Sequence, residues 1–216
     1  MKTFTKAAVL VVAAWIAVSA YGQNIPLTAK IHQSEQVFVN GQLVRMHTRE
    51  GVFLRTSSGM ILKRWTLIDG KQPTGEPGYG VLSDTQKGEI YSLDYARQTA
   101  YLHPSFGVPQ SANSQKSPPN SALKVQEKGS VEGLSCTYNP AYVHTKTGET
   151  LNAGRVCRSD TYGIDLSQEV TFPAPSNPAL YSKVIEQLSD IQVGSEPDPK
   201  FFDLHSFTIY RPDGKN

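Results

Sequence analysis

Val52-Phe53-Leu54-Arg55, the turn residues Ser57-Ser58-Gly59 and the run Met60 to Ile68 decide the fold. Within that run Ile61, Trp65 and Leu67 alternate with Leu62, Arg64 and Thr66, the period of two that a β-strand imposes. A Gly/Pro-rich interruption follows, from Asp69 to Gly80. The pattern then resumes with Val81-Leu82, a turn at Asp84 to Gly88, Glu89 to Leu93, a turn at Asp94 to Arg97, and Thr99 to Leu102. Short β-branched and aromatic runs divided by Gly, Asp and Ser clusters predict an antiparallel meander over residues 51–102.

Upstream, Ala29 to Val39 and Gln42 to Arg49 flank Asn40-Gly41. Asn-Gly between extended runs predicts a hairpin, because a type I′ turn needs positive φ at both central residues. The first of these strands is partly apolar on both faces, with Ile31, Val37 and Val39 on one side and Phe38 on the other.

Further upstream, residues 1–22 read as a signal peptide: Lys2 and Lys6 precede the apolar run Ala7 to Val18, and small residues allow cleavage after Ala20 or Gly22. The run is short for a bilayer anchor, which takes ~20 apolar residues. The expectation is an exported chain, periplasmic or extracellular, that is soluble after signal removal. The full chain has 21 basic and 19 acidic side chains, and loss of Lys2 and Lys6 leaves 19 of each. No basic stripe of the kind nucleic acid requires is present, so nucleic acid is not an expected partner.

Residues 23–216 suit a single β-rich domain with a core large enough to stand without metal. The stretch at about 103–122, rich in Pro, Ser, Asn and Gln, is expected to be a flexible loop, serving as linker, flap or rim. The two cysteines, Cys136 and Cys157, are expected to be bonded across a long second-half hairpin, since an exported chain meets an oxidising compartment and no Cys-x-x-Cys is present. Leu180, Val184, Leu188 and Ile191 fall at helical spacing after Ser176-Asn177-Pro178, a cap followed by Pro. Local pattern favours a helix near residues 178–188, with a strand over 184–191 as the alternative. The fold expected is mainly β: one antiparallel, strongly curved open sheet with at most one substantial helix.

No catalytic signature stands out. The five His are scattered, with no His-x-x-x-His, no serine elbow and no phosphate-cradling Gly loop. No metal or cofactor is implied, and an enzyme is not expected.

Several short motifs together resemble a family of exported, sheet-rich proteins of unassigned function, common in soil bacteria of the acidobacterial kind. These are Phe53 to Gly59, Lys63-Arg64, Asp84 to Gly88, Ser92-Leu93-Asp94 with Arg97-Gln98-Thr99-Ala100, Glu132-Gly133 and the closing run Gly194 to Phe202. The chain departs from that pattern at Ser57-Ser58, where an acidic residue is usual, and in its paired cysteines. At fold level the arrangement is similar to the open half-barrels of periplasmic lipoprotein carriers and envelope-stress sensors. That likeness implies a concave face for an apolar ligand, a lipid or a lipidated protein. Phe53, Trp65, Leu67, Tyr91, Leu93 and Tyr101 are the candidates to line it, and the same residues serve equally as plain core. The rival expectation is a structural or protein-interaction module whose core is closed.

Overall fold

The computed structural model describes residues 24–69, 78–103, 127–144, 150–174 and 177–212. Residues 1–22 and all but His103 of the expected 103–122 loop lie outside the described residues. The strands are β1 (Leu27–Val39), β2 (Gln42–Arg55), β3 (Met60–Ile68), β4 (Tyr79–Asp84), β5 (Glu89–Asp94) and β6 (Thr99–His103), then β7 (Lys128–Val131), β8 (Leu134–His144), β9 (Thr150–Ser159), β10 (Asp165–Ala174), β11 (Asn177–Val193) and β12 (Thr208–Tyr210). They form one curved, unclosed sheet in the order β12-β6-β5-β4-β3-β2-β1-β11-β10-β9-β8-β7. Neighbours run antiparallel except β12, which lies parallel to β6. The pairing of β1 with β11 joins the two halves of the chain.

The turns follow their residues. Asn40 and Gly41 have φ of 50° and 77°, as a type I′ hairpin demands, and Glu132 and Gly133 repeat the arrangement between β7 and β8 with φ of 51° and 76°. Asp84 Oδ1 accepts from the backbone N–H groups of Gln86 and Lys87, and Asp94 Oδ1 accepts from Arg97 N, closing the two meander turns.

The helix favoured near 178–188 is instead the first part of strand β11. Leu180, Val184 and Leu188 are spaced by four, which is even as well as near-helical, so they share a face in a strand too. Only the step of three from Leu188 to Ile191 spoke for a helix. In the sheet a β-bulge makes that step: Ala29 of β1 faces both Asp190 and Ile191, and Asp190 takes φ of 50°. Ile191 thereby packs against the same cluster as Leu188. The cap signal is also real, for Asn177 Oδ1 accepts from Ala179 N, but it opens a strand.

One pair shows which way the sheet curls. Lys63 on β3 is hydrogen-bonded to Glu186 on β11, three strands away. In a flat sheet that separation is ~14 Å, beyond comfortable reach of the two side chains, so the sheet bends toward the Lys63 face. On this inner face Leu27, Ile31, Phe53, Trp65 and Leu188 share one buried cluster with the Cys136–Cys157 disulfide, Ile164 and Leu166. The cysteines are bonded as expected, across the β8–β9 hairpin with Cα atoms 5.4 Å apart. Arg55 holds the two wings together at this end. Its guanidinium donates to Ile25 O at 2.9 and 2.7 Å and to Tyr162 O, beside β10, at 2.7 Å.

The outer face of the meander is covered by the end of the chain. Leu54, Leu62, Leu82, Tyr91 and Leu102 make one row across β2 to β6. Phe202, in a 3-10 turn spanning Pro199–Phe202, is buried against this face, with Phe201 and Phe207 beside it. The run Gly194 to Phe202 is therefore a fastening. Glu196 accepts from Ser57 N, and Asp198 caps the 3-10 turn by accepting from Lys200 N.

Candidate functional site

The inner face is built in rows of directly paired residues. Tyr79, Trp65, Gly51, Ile31 and Leu188 form one such row across β4, β3, β2, β1 and β11. Trp65 and Tyr79 pack with ring centroids 5.7 Å apart. Gly51 is required between them and Ile31, because a Cβ there would lie 2.0 Å from Arg64 O. Trp65 is 4% exposed, and its indole Nε1, a donor that normally finds a partner when buried, has none among the described residues.

The six residues expected to line a concave face do not share one. Phe53 and Trp65 lie on the inner face, in its buried cluster. Tyr91 and Leu93 lie on the outer face, under Phe202. Burial and a hydrogen bond to Glu89 push the Tyr91 phenol up to about 12. Tyr101 stands in the Phe53–Lys63–Val81–Ser92 row but is exposed near the sheet edge, stacked on Tyr210 at 5.0 Å. Leu67 pairs with Glu50, and its side chain is outside the described residues. Strand parity alone could not sort these, because the meander is apolar on both faces and only the tail decides which half is outer.

Next to the apolar rows runs a polar belt that sequence reading missed. Arg49 donates to Gln33 Oε1 at 2.7 Å and to Glu35 Oε2 at 3.1 Å. Gln33 donates in turn to Glu186 Oε2 at 3.1 Å, and Lys63 donates to Glu186 Oε1. Glu186 is a buried carboxylate whose charge is met by Lys63. Beyond it, Asp165 pairs with Arg158 at 3.0 Å, and burial holds its carboxyl above the usual range against the pull of Arg158 and Lys63. Nothing local in the sequence marks Glu186 and Lys63 as partners 123 residues apart.

Toward their other ends β2, β1, β11 and β10 continue past both covers as a blade. From its tip the rows read Gln42–Val39–Leu180, then Leu43–Phe38–Tyr181–Pro173, then Arg45–Val37–Ser182–Phe172, then Met46–Gln36–Lys183–Thr171. Phe38 and Tyr181 stack at 4.8 Å. Leu43, Val44 and Met46 are 52%, 58% and 54% exposed, and no residue described in these four rows is buried.

Among the described residues no three His, Cys, Asp or Glu side chains are placed to hold a metal. Ser92 Oγ and His103 Nε2 lie 2.6 Å apart with Tyr79 Oη 3.4 Å from the same oxygen, a polar cluster on the inner-face side of β4 to β6.

No protein-family model matches the sequence. No curated protein matches it either. Among solved structures it is similar to a DUF1329 family protein from Desulfovibrio piger, at 11% identity and a TM-score of 0.35 over 83% of this chain and 90% of that one. A candidate outer membrane lipoprotein-sorting protein domain from Vibrio parahaemolyticus is similar at 10% identity and a TM-score of 0.34, over 81% and 89% of the two chains. A LolA superfamily protein from Nitrosomonas europaea is similar at 9% identity and a TM-score of 0.35, over 85% and 91%. The likeness to all three is distant and carries nothing about ligand or partner.

Proposed function

We propose that this chain is a non-enzymatic exported binding protein that holds an apolar ligand, or the lipid of a lipid-bearing partner, against its inner face. The observation that carries the reading is the amphipathic order of that face. An apolar floor of Trp65, Phe53, Ile31 and Leu188 adjoins a belt of Arg49, Gln33, Lys63 and Glu186, and Trp65 Nε1, without a partner among the described residues, lies in the floor. Such an order suits an acyl chain below and a polar headgroup at the belt. Because the floor is buried, entry requires the wing bearing the Cys136–Cys157 disulfide to swing outward. The disulfide supports passage through an oxidising compartment, with residues 1–22 as the export signal.

The burial of Phe53, Trp65, Tyr91 and Leu93 favours a second reading, a protein-interaction module with a closed core and no small ligand. Native mass spectrometry and lipid extraction of the purified chain separate the two. The first expects co-purified lipid, or a rise in melting temperature with fatty acid or phospholipid, and loss of that response in Trp65→Ala measured under conditions where the variant is folded. Protein that carries no lipid and gains no stability from either compound supports the closed module.

A further inference from the structure

We propose that the free end of the β2–β1–β11–β10 blade docks on an anionic lipid surface. Three observations carry this, none of which involves the inner-face floor.

The first is that the end is apolar on both of its faces. Phe38, Tyr181 and Leu43 share one face, while Val39, Val37 and Leu180 share the other. A protein partner seated on one face would leave the other wet. A lipid surface surrounds an inserted tip and covers both.

Charge is the second. In the four rows nearest the tip the only charged side chains are Arg45 and Lys183, both cations. Carboxylates begin one row further back with Glu35, then Glu169, which pairs with Lys183 at 2.7 Å. An apolar end collared by cations, with its acids set behind, matches hydrocarbon followed by anionic headgroups.

The third is dimension. Four rows, three steps of ~3.4 Å, extend roughly 10 Å, enough to place Leu43 among the upper acyl carbons with Arg45 and Lys183 at headgroup level. The stacked Phe38–Tyr181 pair then sits where amphipathic rings are favoured.

The test is sedimentation of the full chain with vesicles of phosphatidylglycerol and phosphatidylethanolamine, compared with phosphatidylcholine alone. The chain is expected to bind the anionic vesicles and to lose roughly tenfold or more in the Leu43→Glu, Met46→Glu double variant. Arg45→Glu is expected to cost roughly thirtyfold, counting a lost cation and an added anion. Tyr210→Glu, which changes an exposed aromatic on the edge strand β12, in the row of Phe53, is expected to leave binding unchanged. The tip residues are exposed, so unaltered far-UV circular dichroism confirms that the variants are folded. Residues 1–22 are common to every protein compared. Anionic-vesicle binding that survives the tip substitutions therefore overturns the proposal, as do failure to bind any vesicle and equal binding to phosphatidylcholine. Lipid that co-purifies with the inner face stays bound in the tip variants, so this proposal and the functional reading above fail separately.

Discussion

The same three strands, β1, β2 and β11, behave oppositely at their two ends. At the Leu27 end they bury Leu27, Ala29, Ile31, Phe53 and Leu188 on the inner face, because the disulfide-bearing wing closes over them and the chain's tail covers the meander behind. Near Val39, Leu43 and Leu180 they bury none. Backbone pairing is continuous along both, so strand order does not require a core at every point. It needs one region dense enough to anchor the register. What lies beyond that region is available for contacts outside the chain, and a test of this division is that substitutions at the two ends should differ sharply in cost.

The largest contrast is expected between Trp65→Ala and Leu43→Ala. Removing a buried indole costs about 3–5 kcal/mol through lost transfer free energy and the cavity left behind. Leu43 is half exposed at the tip, and its loss should stay within about 0.5 kcal/mol. Urea unfolding of both variants checks the pair of values. Equal effects would dissolve the distinction between base and blade.

A smaller but diagnostic effect is expected at the belt. Among the described residues, Lys63→Met leaves the buried Glu186 carboxylate with Gln33 as its remaining donor, which should cost about 3 kcal/mol. Adding Glu186→Leu should recover much of it, since a hydrophobic pair of similar volume avoids burying an unpaired charge. A double variant no more stable than Lys63→Met would show that the belt does not act as a pair.

Replacing both cysteines with serine bears on the cover rather than the floor. Closing a loop across 21 positions contributes about 3 kcal/mol in the chain-entropy model. The expected signature is a lower unfolding midpoint together with faster hydrogen exchange in β8 and β9, while the β2–β5 amides keep their rank order of protection.

The division itself was only partly legible in the sequence. Period-two alternation around Trp65, the Asn40-Gly41 turn and the Asp84 and Asp94 turns are local chemistry, and each element appears where its residues put it. Leu180 to Ile191 misled because spacing of four satisfies strand and helix alike, and a bulge at Asp190 supplied the one odd step. The candidate site was less legible. Phe53 and Tyr91 read identically as alternating apolar residues, and their separation onto two faces is set by where Phe202 docks. The belt depends on Lys63 and Glu186 meeting across the curl, a long-range event without local trace. The blade end did leave one, in the apolar residues of both parities from Val37 to Val39 that precede the hairpin turn.

The smallest predicted effect concerns pH, and it sharpens where the base ends. Asp165 lies at the far side of the belt, facing Arg158 and Lys63 as cations and Glu186 as an anion. Burial outweighs those cations, so its carboxyl titrates above its ordinary 3.8 in the folded chain. The folded state then holds the proton more tightly than the unfolded state between the two values. By linkage, that difference makes stability fall as pH rises from about 3.8 through the raised value, and level off above it. Other carboxylates, among them Glu169 and Asp160, are shifted downward by lysines and hydrogen bonds and slope the opposite way, so the wild-type curve alone is ambiguous. The difference between wild type and Asp165→Asn isolates the group, since the amide keeps the volume and cannot ionise. Urea midpoints taken from pH 3.5 to 7 should show wild type losing ground to the variant as pH increases. A difference that runs the other way would mean Arg158 and Lys63 dominate over burial, and that the belt at Asp165 is open to water rather than part of the sealed base.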